Sequence, residues 1–198
     1  MFPTHIDIYL NWLLYAIYGH LAEADLLMRG YGDSIRRVAD ALRAKYPIEE
    51  RTLYRGVLLD PEQPFGPDPQ YMSVSWSEDV EVARWFALRD SFMSRPLVEQ
   101  RPQVRGYILA GRPAARVLFH YSWRRAFAIP PERLALLSLG REASRQIAWS
   151  LRTQCEVITE QPAELPIPQP VELVPGAPIA ELDRQYTPSW MPLTPCTA

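Results

Sequence analysis

The feature that most limits the fold is a change of hydrophobic period near residue 50. Before it, Ile6, Leu10, Leu13, Leu14 and Ile17 recur at helical spacing behind Thr4 and Asp7, which stand as a capping box. Leu21, Ala24 and Met28 either continue that helix or begin a short second one, and the break at Gly30 and Gly32 ends the run. A further helix, capped by Asp33 or Ser34, carries Ile35, Val38, Ala39 and Leu42 on one face and stops at Pro47. From residue 51 the period shortens. "TLYRGVLL" and "YMSVS" read as strands separated by a proline-rich loop, and Ser77, Glu78 and Asp79 open a helix through "EDVEVARWFALRDSF".

The same reasoning makes "VRGYILA" and "ARVLFHY" a hairpin or adjacent strands about the turn residues Gly111 and Pro113, with Val117, Phe119 and Tyr121 on one face. "PPERLALLSLGREASRQIAWSLR" reads as helix and loop, and "QCEVI" as a last strand in which Gln154 and Glu156 share a face and Cys155 turns away. Beyond Glu160, nine prolines exclude a regular helix or interior strand, leaving an extended arm, either packed on the domain or disordered. At 198 residues the chain is long enough for one well-cored domain.

Charge and cysteine content narrow the class further. A net charge of −2 provides no global basic field for nucleic acid or an anionic membrane, although a local basic groove remains open. Lys45 is the only lysine, so nearly all positive charge is guanidinium, through coding bias or for phosphate binding. Cys155 and Cys196 make no disulfide framework and favour a cytosolic setting. The apolar N-terminus is interrupted by Asp7, Asn11, His20, Glu23 and Asp25, and it lacks the charged start and cleavage site of a signal peptide. The expectation is a soluble cytoplasmic protein. His5, His20 and His120 have no metal-ligand spacing, so no metal is expected. No GxGxxG or P-loop supports a Rossmann enzyme or a nucleoside triphosphatase. Trp76, Trp85 and Phe86 are expected in the core before any ligand.

Three polar islands on the expected strands carry the functional reading: Arg55 with Gly56 in "LYRG", Ser73 with Ser75 in "YMSVSWS", and Gln154 with Glu156 in "QCEVI". In this order they resemble the R-S-E class of mono-ADP-ribosyltransferases, which have an arginine on the first core strand, a Ser-Thr-Ser strand before a helix, and a Gln/Glu-x-Glu motif on a later strand. The resemblance covers roughly residues 50 to 160 and departs at Val74, where the family commonly has threonine. It implies an α+β fold with a split β-sandwich core, N-terminal helices and a proline-rich C-terminal arm. The single domain would span residues 1–160, with a helical part over 1–48 and an NAD-binding core over 49–160, followed by an extension over 161–198.

The resemblance also implies that NAD is consumed as a substrate. Arg55 would hold the pyrophosphate through paired, charge-assisted hydrogen bonds, and Gly56 would let ligand approach the strand. Glu156 would hold the ribose 2′-hydroxyl and stabilise the oxocarbenium-like state. Ser73 would face the nicotinamide ribose and hold that glutamate, while Ser75 would support the strand or the ligand. Gln154 would lie at the mouth and orient the acceptor, with "SRQIAWSLRT" as the recognition loop and Trp149 as a contact. Glutamine at that place implies an acceptor other than arginine: a protein side chain, with a nucleic-acid base approached past Arg145, Trp149 and Arg152 as the alternative. A non-catalytic binder on the same scaffold is the third reading. A phage or bacterial effector or toxin acting on a protein in a host cytoplasm fits this picture.

Overall fold

In the computed structural model the described residues are 4–60, 62, 66–67, 71–93 and 105–170. Helix α1 (His5–Tyr18) starts as its sequence requires, the Thr4 hydroxyl accepting from the Asp7 amide and the Asp7 carboxylate accepting from the Thr4 amide. Such a cap is worth about 1 kcal/mol. The helix ends at Gly19, whose φ of 85° is a left-handed conformation that glycine adopts without a side-chain clash.

Helix α2 (Leu21–Lys45) corrects one expectation. It passes through Gly30 and Gly32 and records the weakness there only as a kink at Tyr31, with φ −137° and ψ 21°. Packing explains the continuity, because Ala24 and Met28 before the kink and Ile35 and Ala39 after it enter the same core as Tyr9, Trp12 and Leu13 of α1. Burial on both sides outweighs about 1 kcal/mol of unfavourable propensity per glycine.

The rest of the chain builds an α+β domain around β1 (Leu53–Leu59), β2 (Ser73–Ser77), β3 (Arg105–Gly111), β4 (Val117–His120), β5 (Glu156–Glu160) and β6 (Pro168–Pro170). Helix α3 (Val80–Met93) follows β2; a 3-10 segment (Tyr121–Ala126), α4 (Pro131–Ser138) and α5 (Arg141–Thr153) lie between β4 and β5. The strand order is β4-β5-β2-β1-β3-β6 with antiparallel pairs throughout. Continuous ladders join β1 to β3 and β2 to β5, whereas β1 and β2 are registered only at Tyr54 opposite Ser77. The sheet therefore has a seam at its centre.

Two further expectations change. β3 and β4 form no hairpin: β3 has β1 on one edge and β6 on the other, so β4 crosses to the free edge of β5. A bulge between Val117 and Phe119 then sends these residues to different cores, and Tyr121 begins the 3-10 segment instead of continuing their strand. The larger core lies under α1, α2, α4 and α5 and takes in Leu118, Phe119 and Ile158; the smaller joins Leu53, Val74, Trp76, Leu109 and Val157. The start of the proline-rich arm belongs to the sheet. Leu165 packs on the smaller core and β6 pairs with β3 as an edge strand, where proline's missing N–H is tolerated. The remainder of the arm, with Trp190 and Cys196, lies outside the described residues. No helix among the described residues is long and apolar enough to cross a membrane.

Helix α3 sits on β1 and β3 through two glycines. A Cβ at Gly56 would lie 2.0 Å from the Ala83 carbonyl oxygen, and one at Gly106 would lie 2.7 Å from that of Ala87. What approaches Gly56 so closely is helix backbone, which corrects the expectation that a ligand requires the glycine. Substituting Gly56→Ala should cost about 3 kcal/mol or more, since neither backbone can yield without moving α3. Urea denaturation would read this as a lowered midpoint, and an unchanged midpoint would contradict the packing.

Candidate functional site

The centre of the site is a buried carboxyl group. Glu156 is the first residue of β5 and is only 5% exposed. Its Oε1 accepts from the Ser75 hydroxyl at 2.6 Å, and its Oε2 lies 2.5 Å from the Ser150 Oγ. The register makes the first contact inevitable, because Ser77 stands opposite Glu156 and Ser75 opposite Ile158, so all four share a face. Ser150 arrives from α5, whose Ala143, Ile147 and Leu151 are drawn into the larger core at helical spacing.

Arg55 reaches the site from across the seam. Its Nη1 donates to the Ser75 carbonyl oxygen at 2.7 Å, and its charge bears on Glu156. The net direction for Glu156 is nevertheless upward from the ordinary carboxyl value. Burial raises it, while hydrogen bonds from Ser150 and Ser75 and the Arg55 charge pull the other way.

Gln154 is not on the strand. It is the C-cap of α5, and Cys155, with φ 45°, forms a left-handed turn into β5. The turn is tied down by the Ser77 hydroxyl donating to the Gln154 carbonyl oxygen at 2.6 Å and by the Glu78 amide donating to the Cys155 carbonyl oxygen. The Gln154 side chain is buried, with Oε1 2.8 Å from Ser150 Oγ, so it lies inside the site and not at its mouth. The expected recognition loop "SRQIAWSLRT" is helix, and Trp149 meets Trp85 of α3 edge to face at 5.6 Å. Trp76 and Trp85 are core residues, and the Trp76 indole donates to Thr159.

The serines are also redistributed. Ser73 stands opposite Glu160 at the far end of β2, where Arg36 pairs with that glutamate. Ser75, not Ser73, holds Glu156, and Ser77 braces the Gln154 turn. The working pair is therefore "SWS", with Trp76 between the two serines in place of Val74. Three alternating serines permit either choice, and only the register with β5 selects one.

Two groups escaped the sequence reading. One is Ser150, whose single hydroxyl proton faces two acceptors. If Gln154 Oε1 accepts that proton, Glu156 must be protonated and donate to Ser150; if the amide is turned so that its NH₂ donates to Ser150, the hydroxyl serves ionised Glu156. The ionisation of Glu156 is thus coupled to the orientation of Gln154. The other group is a clasp at Glu78, which accepts from His120 Nε2 at 3.0 Å and from the Tyr121 hydroxyl at 3.1 Å. The Ser122 amide donates to His120 Nδ1, which leaves the proton on Nε2. Burial and the Glu78 charge raise the Tyr121 phenol to about 12. Among the described residues no group of His, Cys, Asp and Glu has the arrangement of a metal site.

Comparison with protein-family models, with curated proteins and with solved structures finds no match. The functional reading therefore rests on these residues and their chemistry.

Two outcomes test the geometry. Ser150→Ala removes a partner from two buried polar side chains and should cost about 1–3 kcal/mol. Because folding raises the Glu156 pKa, the fold is least penalised below the unfolded-state value of 4.5 and loses stability as pH rises through the folded value. Glu156→Gln should therefore raise the melting temperature relative to wild type at pH 7, with the advantage shrinking toward pH 4; a constant difference across that range would contradict the desolvated carboxyl.

Proposed function

We propose that the protein is an NAD-dependent mono-ADP-ribosyltransferase of the R-S-E class with a split-sheet core, transferring ADP-ribose to a macromolecular acceptor other than an arginine side chain. The observation that carries this reading is the convergence of Arg55, Ser75 and Glu156 from three strands, with Arg55 reaching across the central seam.

The chemistry asked of these groups is limited. The nicotinamide–ribose bond breaks with its electron pair leaving on nicotinamide, and positive charge develops on the ribose. An ionised Glu156, held by Ser75 and Ser150, stabilises that charge and accepts a hydrogen bond from the 2′-hydroxyl. Arg55 supplies guanidinium donors to the pyrophosphate. The cationic nicotinamide ring favours the ionised carboxyl, so substrate binding itself draws Glu156 into its active state. Because Glu156 is 5% exposed, NAD entry requires covering groups to shift. Gln154 is too weak a base to deprotonate a guanidinium, which supports a non-arginine acceptor.

Incubation with labelled NAD and cell lysate tests the reading. Glu156→Ala should lower kcat roughly 100- to 1,000-fold, while Arg55→Ala should raise KM for NAD roughly 10- to 100-fold. Transfer should rise with pH above the ordinary carboxyl range as Glu156 ionises. The absence of transferred label and of NAD hydrolysis in the wild-type protein would sink the proposal.

A further inference from the structure

Residues 121–153 contain six arginines and two glutamates, a local +4 in a chain of net −2. Arg124 and Arg125 of the 3-10 segment and Arg152 of α5 line one cavity of about 350 Å³, with Tyr121, Ser122 and Leu151. Five other arginines, Arg36, Arg51, Arg84, Arg112 and Arg116, stand beside carboxylates. Arg124, Arg125 and Arg152 have no carboxylate within ion-pair distance among the described residues. Gathering three uncompensated guanidinium groups around one hollow is electrostatically unfavourable until an anion enters it.

The charge continues in a line. Arg141, Arg145 and Arg152 are exposed on α5 at spacings of four and seven, which puts them on one face over roughly 16 Å of helix. A straight row of guanidinium groups fits an anion that repeats along a strand. Arg152 stands in the last turn of α5, the helix whose C-cap is Gln154 of the candidate site. In the sheet, β5 with Glu156 has β4, which leads into the 3-10 segment, on one side, and Arg55 lies beyond β2 on the other. The two cationic sites thus flank the carboxyl from opposite directions.

We propose that the arginine cavity and the α5 row dock the phosphodiester backbone of a single-stranded nucleic acid, whose base is the ADP-ribose acceptor. The acceptor role rests on the transferase reading above, but the docking does not. Arg55 would take the phosphates of NAD and the arginine cavity those of the acceptor. Planar guanidinium groups hold phosphate oxygens in pairs, and Tyr121 provides an aromatic wall against which a base or sugar can pack.

The test is fluorescence anisotropy of the full chain with fluorescein-labelled 20-nucleotide single-stranded DNA and RNA of mixed sequence, between 50 and 200 mM salt. Binding should weaken steeply with salt. The combined change Arg124→Ala, Arg125→Ala and Arg152→Ala should reduce affinity at least tenfold and lower the slope of log affinity on log salt by about 2, with an unchanged melting curve showing an intact fold. No binding by wild type at 50 mM salt, equal binding by the triple variant, or equal competition by polyglutamate at matched charge would each overturn the proposal. Wild-type NAD hydrolysis, measured in parallel, separates the two readings. Hydrolysis without oligonucleotide binding removes this inference alone, whereas binding without NAD cleavage removes the transferase and leaves the docking surface.

Discussion

The clamp on Glu156 is the interaction around which the rest of the structure is arranged. A carboxyl group that is 5% exposed has lost nearly all its water, so both its oxygens must find protein partners. Ser75 can reach one only if β2 and β5 pair in the observed register, and Ser150 can reach the other only if α5 ends close to β5. That second demand forces the chain from helix to strand in two residues. The cost appears at Cys155, a non-glycine residue at φ 45°, where left-handed backbone is unfavourable by roughly 1–2 kcal/mol. Ser77 and Glu78 hold the turn in that state through its carbonyl groups.

The seam between β1 and β2 follows from the same economy of contacts. Helix α3 is seated on β1 and β3 at Gly56 and Gly106, close enough for helix backbone to replace side chains. The other half of the sheet packs under α1, α2, α4 and α5 through Phe119 and Ile158. Two halves committed to different helices need not stay in register with each other, and among the described residues only Tyr54 and Ser77 join them in a ladder. The space so opened is crossed by Arg55, which bonds to the backbone of the residue that holds Glu156. A polar side chain thereby links halves that the backbone barely connects.

Much of this was legible in the sequence because it depends on local chemistry. The Thr4–Asp7 cap, the switch of period near residue 50, the β1 and β2 segments and the burial of Trp76 and Trp85 follow from spacing and side-chain type. What was not legible depends on partners distant in sequence. Nothing local says that β3 prefers β1 and β6 to β4, or which two of Ser73, Ser75 and Ser77 meet Glu156. The Gln154 pair with Glu156 looked like strand alternation, and its proximity is real but arises through a helix cap and Ser150. Ser150 itself had no signal, because a serine near a helix end is ordinary until the strand that follows is folded back beside it.

The buried trio also gives the site a definite electrostatic logic. Burial favours the neutral carboxyl, because desolvation is the largest influence on Glu156. In that state Ser150 can give its proton to Gln154 Oε1. A cationic ring brought beside Glu156 reverses the balance, and the Ser150 proton then turns to the carboxylate, which leaves Gln154 to present an N–H to Ser150 and its carbonyl oxygen elsewhere. Ionisation of one residue thus reorients the other without backbone movement. The amide carbonyl turns away from Ser150 only when the carboxylate is charged, so a group docked beside α5 would meet a different Gln154 before and after the cation arrives.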